Sequence, residues 1–247
     1  MEDREVSDEK VNLVKEFFKE VKGIDLTERE IRNKFNNVPE TLSDDFKTIN
    51  KNEKEMKEYY CKEDYIFDLV AANDWSLFIE RTKFTIEICK DNKAKNIIDY
   101  GAGCGFSCLE FAKAQFEVTY VDYKGATWEF AEWLFKREKV NVRMITPDEY
   151  FSEDKLYDIT YSNDVLEHIL HLGRTIIKMA ESTKVACILF YCFSKEGNFS
   201  QHIHLMPNAG IYLHTLMRMH GFNSHEKVIN NLFIKKPYYG YYPEGLK

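Results

Sequence analysis

The segment Asn96-Ile97-Ile98-Asp99-Tyr100-Gly101-Ala102-Gly103-Cys104-Gly105-Phe106 constrains the fold more than any other stretch of this chain. An apolar, β-branched run passes straight into a turn rich in glycine, and a helical pattern follows. Without Cβ atoms the turn can adopt left-handed backbone angles and let a ligand approach its backbone. The helix behind it offers unpaired N–H groups at its first turn. Such strand–turn–helix units belong to open parallel sheets, whose ligands bind beyond the carboxyl ends of the strands near the switch point. The chain beyond residue 95 has the alternation this requires. β-rich runs at 96–100, 117–122, 140–145, 157–162 and 185–193 are separated by helical patterns at about 106–114, 126–138, 165–181 and 208–220. A last apolar run at 231–235 is expected to pair antiparallel with a strand near 227–229. These elements predict an α/β fold with a doubly wound sheet.

The residues before 95 have a different texture: charge is dense, and Gly23 is the sole glycine ahead of Gly101. Val11, Leu13, Val14, Phe17, Phe18 and Val21 recur at helical spacing and predict an amphipathic helix stopped by Gly23. Thr27 and Glu30 form the pattern of a capping box, opening a short second helix through about Phe35. Pro39 is expected to break any helix in the polar stretch that follows. Within that stretch the Glu/Lys-rich run 51–58 reads as a solvated helix face. Helical periodicity returns over roughly 62–90 through Tyr65, Ile66, Leu69, Val70, Phe78, Ile79, Phe84 and Ile88. Residues 1–92 are therefore expected to form a helical cap on a ligand-binding domain at 93–247.

Composition narrows the function. The chain has 247 residues, of which 44% are hydrophobic, enough for a sizeable core. Its net charge of −7 disfavours a nucleic-acid or anionic-membrane partner, because both are bound through clustered cations. No run approaches the roughly 18 apolar residues of a membrane span. The start Met1-Glu2-Asp3-Arg4-Glu5 lacks the features of a secretory signal, which points to the cytoplasm. Six cysteines without a Cys-x-x-Cys pair are read as free thiols. Cys104 and Cys108 lack the third cysteine of a radical iron–sulfur motif, since position 111 is Phe111.

The second strand ends in Asp122, roughly twenty residues after Asp99, where an acid can accept two hydrogen bonds from a ribose diol. A nucleoside ligand follows from that placement. A dinucleotide fingerprint would need glycine at 106, where this chain has Phe106, so a nicotinamide-dependent oxidoreductase is disfavoured. Asp99 would repel a pyrophosphate and tolerate a cationic sulfonium with an amino-acid tail. No Gly-x-x-x-x-Gly-Lys-Ser/Thr loop is present.

Taken together, Asp99-Tyr100-Gly101-Ala102-Gly103-Cys104-Gly105, Asp122 and Ser162-Asn163-Asp164-Val165-Leu166-Glu167-His168-Ile169 resemble the class I S-adenosylmethionine-dependent methyltransferases. Within that class the resemblance is to small-molecule enzymes of the ubiquinone-biosynthesis type, whose fourth strand often leads into Asp-Val-Leu-Glu-His. It covers about residues 95–235, including Gln201-His202-Ile203-His204 and the helix end His220-Gly221-Phe222. The resemblance implies a Rossmann-like, seven-stranded sheet with an N-terminal helical cap and S-adenosyl-L-methionine as cofactor. It also implies roles. Gly101, Gly103 and Gly105 would line the methionine and ribose, with Asp99 beside them. Asp122 would hold the ribose hydroxyls, Tyr123 would flank the adenine, Asp148 would reach the adenine amino group, and Asn163 and Asp164 would lie near the methionine. The Asn-Pro-Pro-Tyr pattern of base and glutamine methylation is absent, so the acceptor is expected to be a small aromatic or apolar metabolite.

Methyl transfer needs positioning, exclusion of water and, for some acceptors, a base. Glu167 and His168 are the candidate catalytic residues, at the expected start of the helix after the fourth strand. Histidine titrates near neutrality and can take a proton there; a capping or cofactor-loop role is expected for Glu167. No metal is expected, since zinc-type spacing is missing; His202 and His204, alternate residues of an extended segment, are the candidate ligands. Tyr59, Tyr60, Tyr65, Phe67 and Trp75 are candidates for lining an acceptor pocket from the cap. Trp128, Phe130, Trp133 and Phe135 read as core packing. A non-catalytic S-adenosylmethionine-binding module is the main functional alternative, and a metal-assisted methyltransferase a further one.

Overall fold

The computed structural model describes residues 6–193, 201–204, 207–225 and 232–235. Seven strands form one sheet: β1 (Asn96–Tyr100), β2 (Glu117–Val121), β3 (Val142–Ile145), β4 (Tyr157–Asn163), β5 (Thr183–Phe190), β6 (Phe222–His225) and β7 (Leu232–Lys235). Their order is β3-β2-β1-β4-β5-β7-β6. The first five are parallel, and β7 runs antiparallel between β5 and β6. The strand order reverses between β1 and β4, which makes their carboxyl ends the switch point. The antiparallel partner of β7 is Phe222–His225 rather than 227–229, and the latter lies outside the described residues.

Ten α-helices flank this sheet among the described residues. The cap comprises α1 (Asp8–Phe17), α2 (Glu28–Thr48), α3 (Glu53–Tyr60), α4 (Asp64–Asn73) and α5 (Ser76–Asp91). Between and beyond the strands lie α6 (Phe106–Lys113), α7 (Ala126–Arg137), α8 (Pro147–Ser152), α9 (Leu172–Ser182) and α10 (Asn208–Met219). Strand alternation divides the core in two. Ile97, Val118, Tyr120, Ile159 and Ile188 face the cap helices, α6 and α7; Ile98, Val121, Tyr157 and Leu189 face α9 and α10.

Two local expectations are corrected. Helix α2 does not stop near Phe35 but runs through Pro39 to Thr48. Its capping box forms as expected, with the Thr27 side chain on the Glu30 amide and the Glu30 side chain on the Thr27 amide. Ile31, Phe35, Val38, Leu42 and Phe46 are all buried along one stripe, and that burial outweighs the missing N–H and the ring clash of a mid-helix proline. The helix expected from 165 begins instead at Leu172. Asp164 leaves β4 in a left-handed conformation (φ 51°), and the His168 amide closes a turn on the Val165 carbonyl at 2.9 Å, so residues 164–171 cross the strand ends before any helix starts.

The cap is knitted to the sheet layer. Helix α1 continues as one π-helical turn, Phe18–Lys22, and ends at Gly23 (φ 68°). The Phe17 ring meets Phe130 and Trp133 of α7 edge-on at 5.0 and 5.6 Å, and Phe18 stacks on Phe67 of α4 at 5.3 Å. Phe130 and Phe135 are buried as expected, and Trp128 and Trp133 pack partly buried against them.

Candidate active site

The site is assembled where β1, β2 and β4 end. Gly101, Gly103 and Gly105 all have positive φ (77°, 53° and 77°), which L side chains tolerate poorly. Space is equally restrictive: a Cβ on Gly103 would sit 2.7 Å from Leu69 Cδ1 of α4, and one on Gly101 would sit 2.4 Å from Val165 Cγ2. The turn is fixed to its neighbours by backbone bonds from Gly101 and Ala102 to the Val121 carbonyl.

Asp122 follows β2 and braces this turn. One carboxylate oxygen accepts the Gly103 amide at 2.7 Å and the other accepts the Tyr123 amide at 2.7 Å. Burial raises its pKa to about 6, while the two amides pull in the opposite direction. Tyr123 flanks it, with Lys57 of the cap at 5.8 Å from the ring; burial raises its phenol to about 12, helped by the charges of Asp122 and Asp148. Asp148 itself is exposed in the first turn of α8. Asp99 lies on β1, two residues before Gly101. Its carboxylate is buried in the core and accepts the Cys108 thiol at 3.3 Å, and burial raises its pKa to about 7.

Asn163 and Asp164 end β4 and meet a side chain that sequence reading passed over. Arg81 of α5 donates to Asn163 Oδ1 at 2.6 Å and to Asp164 Oδ2 at 2.7 Å, and its side chain is only 9% exposed. Its Nε is buried with no hydrogen-bond partner. The signal in the sequence was a cation on the same helical stripe as Thr85, Ile88 and Cys89, the buried face of α5.

Glu167 and His168 lie in the turn after β4, not at a helix start, so Glu167 caps no helix. Glu167 is buried; Oε1 accepts the Cys192 amide at 2.8 Å and Oε2 has no partner. Burial raises the carboxyl to about 7. His168 moves the other way, with burial lowering it to about 4. Its neutral ring pairs Nδ1 with the Gln201 carbonyl at 3.0 Å, an acceptor, so the proton sits on Nδ1 and Nε2 keeps its lone pair. His202 meets His168 edge-on at 5.0 Å, and ligating atoms of Glu167, His168 and His202 all fall within 4.8 Å of one another. His204 is not part of that group: its Nε2 is bonded to the Ile169 carbonyl at 2.6 Å. His171 reaches across to Glu53 of α3 at 2.9 Å.

Among the aromatic cap candidates, Tyr59, Tyr65 and Phe67 are core residues and Trp75 is 46% exposed. Tyr60 alone meets the site, its ring edge-on to His168 at 6.1 Å.

A family model described as a methyltransferase domain matches residues 72–192, which span α5, the glycine turn, Asp122 and the strand-four turn. Over those residues the chain is similar to a methyltransferase domain. Among curated proteins, the chain is 25% identical to a ubiquinone biosynthesis O-methyltransferase of Rickettsia typhi over 148 residues, 54% of this chain and 57% of that one. A protein of the same name from Rickettsia prowazekii is 28% identical over 42% of this chain and 43% of its own length. The chain thus spans about half the length of the curated relatives it matches. Among solved structures, an O-methyltransferase family protein from Burkholderia thailandensis superposes with a TM-score of 0.57 at 16% identity, over 83% of this chain and 71% of that one. The methyltransferase domain of bacterial CtHen1 gives 0.53 at 16% identity, over 64% of this chain and all of that one. The architecture is the Rossmann-like methyltransferase fold, and the cofactor of such a domain is S-adenosylmethionine. Among the described residues no helix is long and apolar enough to cross a membrane.

Proposed function

We propose that this chain moves the methyl group of S-adenosylmethionine to an oxygen of a small aromatic or otherwise apolar metabolite, with residues 1–92 capping a cofactor domain at 93–247. The observation that carries the cofactor half is the Asp122 carboxylate, braced on two amides at the end of β2 and still holding lone pairs for a ribose diol. The unpartnered Arg81 Nε and the Asp164 carboxylate beside it match the carboxylate and ammonium of an amino-acid tail. The glycine turn would line the ligand, and Tyr123 and Asp148 would flank the adenine. Asn163 would hold Arg81 in place, and Asp99, bonded to Cys108, would brace the turn from beneath.

When bound, S-adenosylmethionine supplies an electrophilic methyl on a sulfonium. The chain's part is to orient the acceptor oxygen in line with it and to remove a proton. Glu167 is the better-matched base, because a carboxyl near 7 both holds and releases a proton at neutral pH. His168, near 4, is the weaker base and serves as a neutral hydrogen-bond acceptor through Nε2. Similarity to ubiquinone biosynthesis O-methyltransferases supports an oxygen as the nucleophile.

Calorimetric titration with S-adenosylmethionine and S-adenosylhomocysteine tests the reading. Wild-type protein is expected to bind both, and Asp122→Ala to weaken both by about tenfold or more, the loss of one to two charge-assisted hydrogen bonds. No heat or thermal shift with either ligand sinks the reading. One observation favours a second version: a carboxylate and two imidazoles within 4.8 Å suit a divalent transition metal, which would orient the acceptor oxygen in place of a free base. Turnover to S-adenosylhomocysteine that is abolished by a chelator and restored by zinc or manganese would select this version.

A further inference from the structure

Buried polar atoms without partners are rare in folded proteins, and each asks for an explanation. Three of them lie on side chains gathered around the strand-four turn, where Arg81 pairs with Asn163 and Asp164 and the Tyr60 ring meets His168. They are the Arg81 Nε of α5, the Glu167 Oε2 of the strand-four turn and the hydroxyl of Tyr60, the last residue of α3. The first two are accounted for by the cofactor tail and the acceptor proton. Tyr60 is not.

Its ring is fixed on three sides, by Tyr59 at 5.1 Å, Tyr65 at 5.3 Å and His168 at 6.1 Å. Helix α3 is itself tied down at the site's rim. Glu53 bonds His171, Lys57 faces Tyr123, and the Cys61 carbonyl after the helix accepts the Ala126 amide at 3.2 Å. Gly125 is required at that last contact, since a Cβ there would lie 2.6 Å from Cys61 Cα. A hydroxyl so held cannot swing out to water, and leaving it unbonded is a net cost to the fold. At the strand-four turn, Glu167 Oε2 and His168 Nε2 are both acceptors, suited to an acceptor's O–H; Tyr60 is the donor that such an oxygen would still lack.

We propose that Tyr60 is a specificity-determining residue, whose hydroxyl donates a hydrogen bond to the acceptor oxygen facing Glu167 and His168. Resting on the methyltransferase reading above, this assigns the cap a direct part in choosing the substrate. The bond would orient one lone pair of the oxygen and favour its ionised form, so the site prefers phenolic acceptors over rings of equal size without oxygen.

The test compares wild-type protein with Tyr60→Phe, both saturated with S-adenosylhomocysteine, using 4-nitrophenol as a probe whose phenolate absorbs in the visible. Glu167, His168, His202, Arg81 and Asp164 surround the site in both proteins, so their charges cancel in the comparison. The expected result is that the phenylalanine variant binds the probe about five- to tenfold more weakly, the effect of one hydrogen bond. The ionisation midpoint of its bound probe should move upward relative to wild type. Its melting temperature without ligand should stay equal or rise, because no internal bond is removed. A clearly lower melting temperature would make the hydroxyl structural and overturn the proposal. Equal affinities and midpoints overturn it as well, as does a wild-type complex that fails to take up the probe. Failure to bind S-adenosylhomocysteine would instead remove the methyltransferase reading itself.

Discussion

A carboxyl group in the middle of a sheet is an expensive choice, and Asp99 makes it in the strand that opens the cofactor turn. It is 2% exposed, and its pKa stands at about 7 against 3.8 for a free aspartate. The folded protein therefore holds this proton at pH values where the unfolded chain has released it. Stability from this group is present in full below about pH 4 and falls as pH rises to about 7. Asp122, raised to about 6 by burial, acts in the same direction. Asp99→Asn keeps an oxygen for the Cys108 thiol and removes the ionisation, which is worth about 4 kcal/mol above pH 7. The variant should melt at least about 5 °C above wild type at pH 8 and above it by less than half that gain at pH 5, in thermal unfolding followed by circular dichroism. A gain of equal size at both pH values would contradict this account.

Helix α2 carries the element-scale lesson. Replacing Pro39 with alanine restores one N–H to the ladder and removes the clash with the Phe35 carbonyl, so the variant should be more stable by about 1–3 kcal/mol. Chemical denaturation gives the number, and a loss of stability would mean that Pro39 shapes a bend on which the buried stripe depends. The same helix shows what a linear reading can and cannot reach. Local signals such as the Thr27–Glu30 box, the Gly23 stop and the strand into Gly101 were legible, because each is decided within a few residues. The continuation past Pro39 was not, since it depends on what Leu42 and Phe46 meet far along the chain. The late start of α9 was missed for a similar reason: apolar periodicity over 165–181 is real, yet the turn at 164–171 is shaped by Val165 packing over Gly101. At the site, the glycine turn and Asp122 followed from spacing, and Asn163 and Asp164 from the resemblance of the strand-four segment to a known family. Arg81 did not, because its partners lie across the fold from it.

Over the whole molecule, the cap and the sheet share one of the two hydrophobic cores. Phe17 and Phe18 insert between α7 and α4, and the Trp133 indole N–H donates to Glu20 at 2.9 Å, so α1 cannot lift away without exposing large rings. Unfolding should therefore be a single transition. With Trp75 and Trp128 replaced by phenylalanine, Trp133 fluorescence and far-ultraviolet circular dichroism should trace coincident curves in urea. A fluorescence midpoint well below the other would show the cap detaching first.

Strand β7, antiparallel between β5 and β6, imposes a timetable on the ribosome. Elongation delivers β5 and β6 before Leu232–Lys235, although the later segment must lie between them. Until it arrives, the Ala186–Ile188 edge of β5 has no partner on that side, and Phe222–His225 has no neighbour in the sheet. Two open edges are an invitation to pair with another nascent chain. Crowded polysomes would feel that hazard most, and a pause in translation between Phe222 and Leu232 would prolong it.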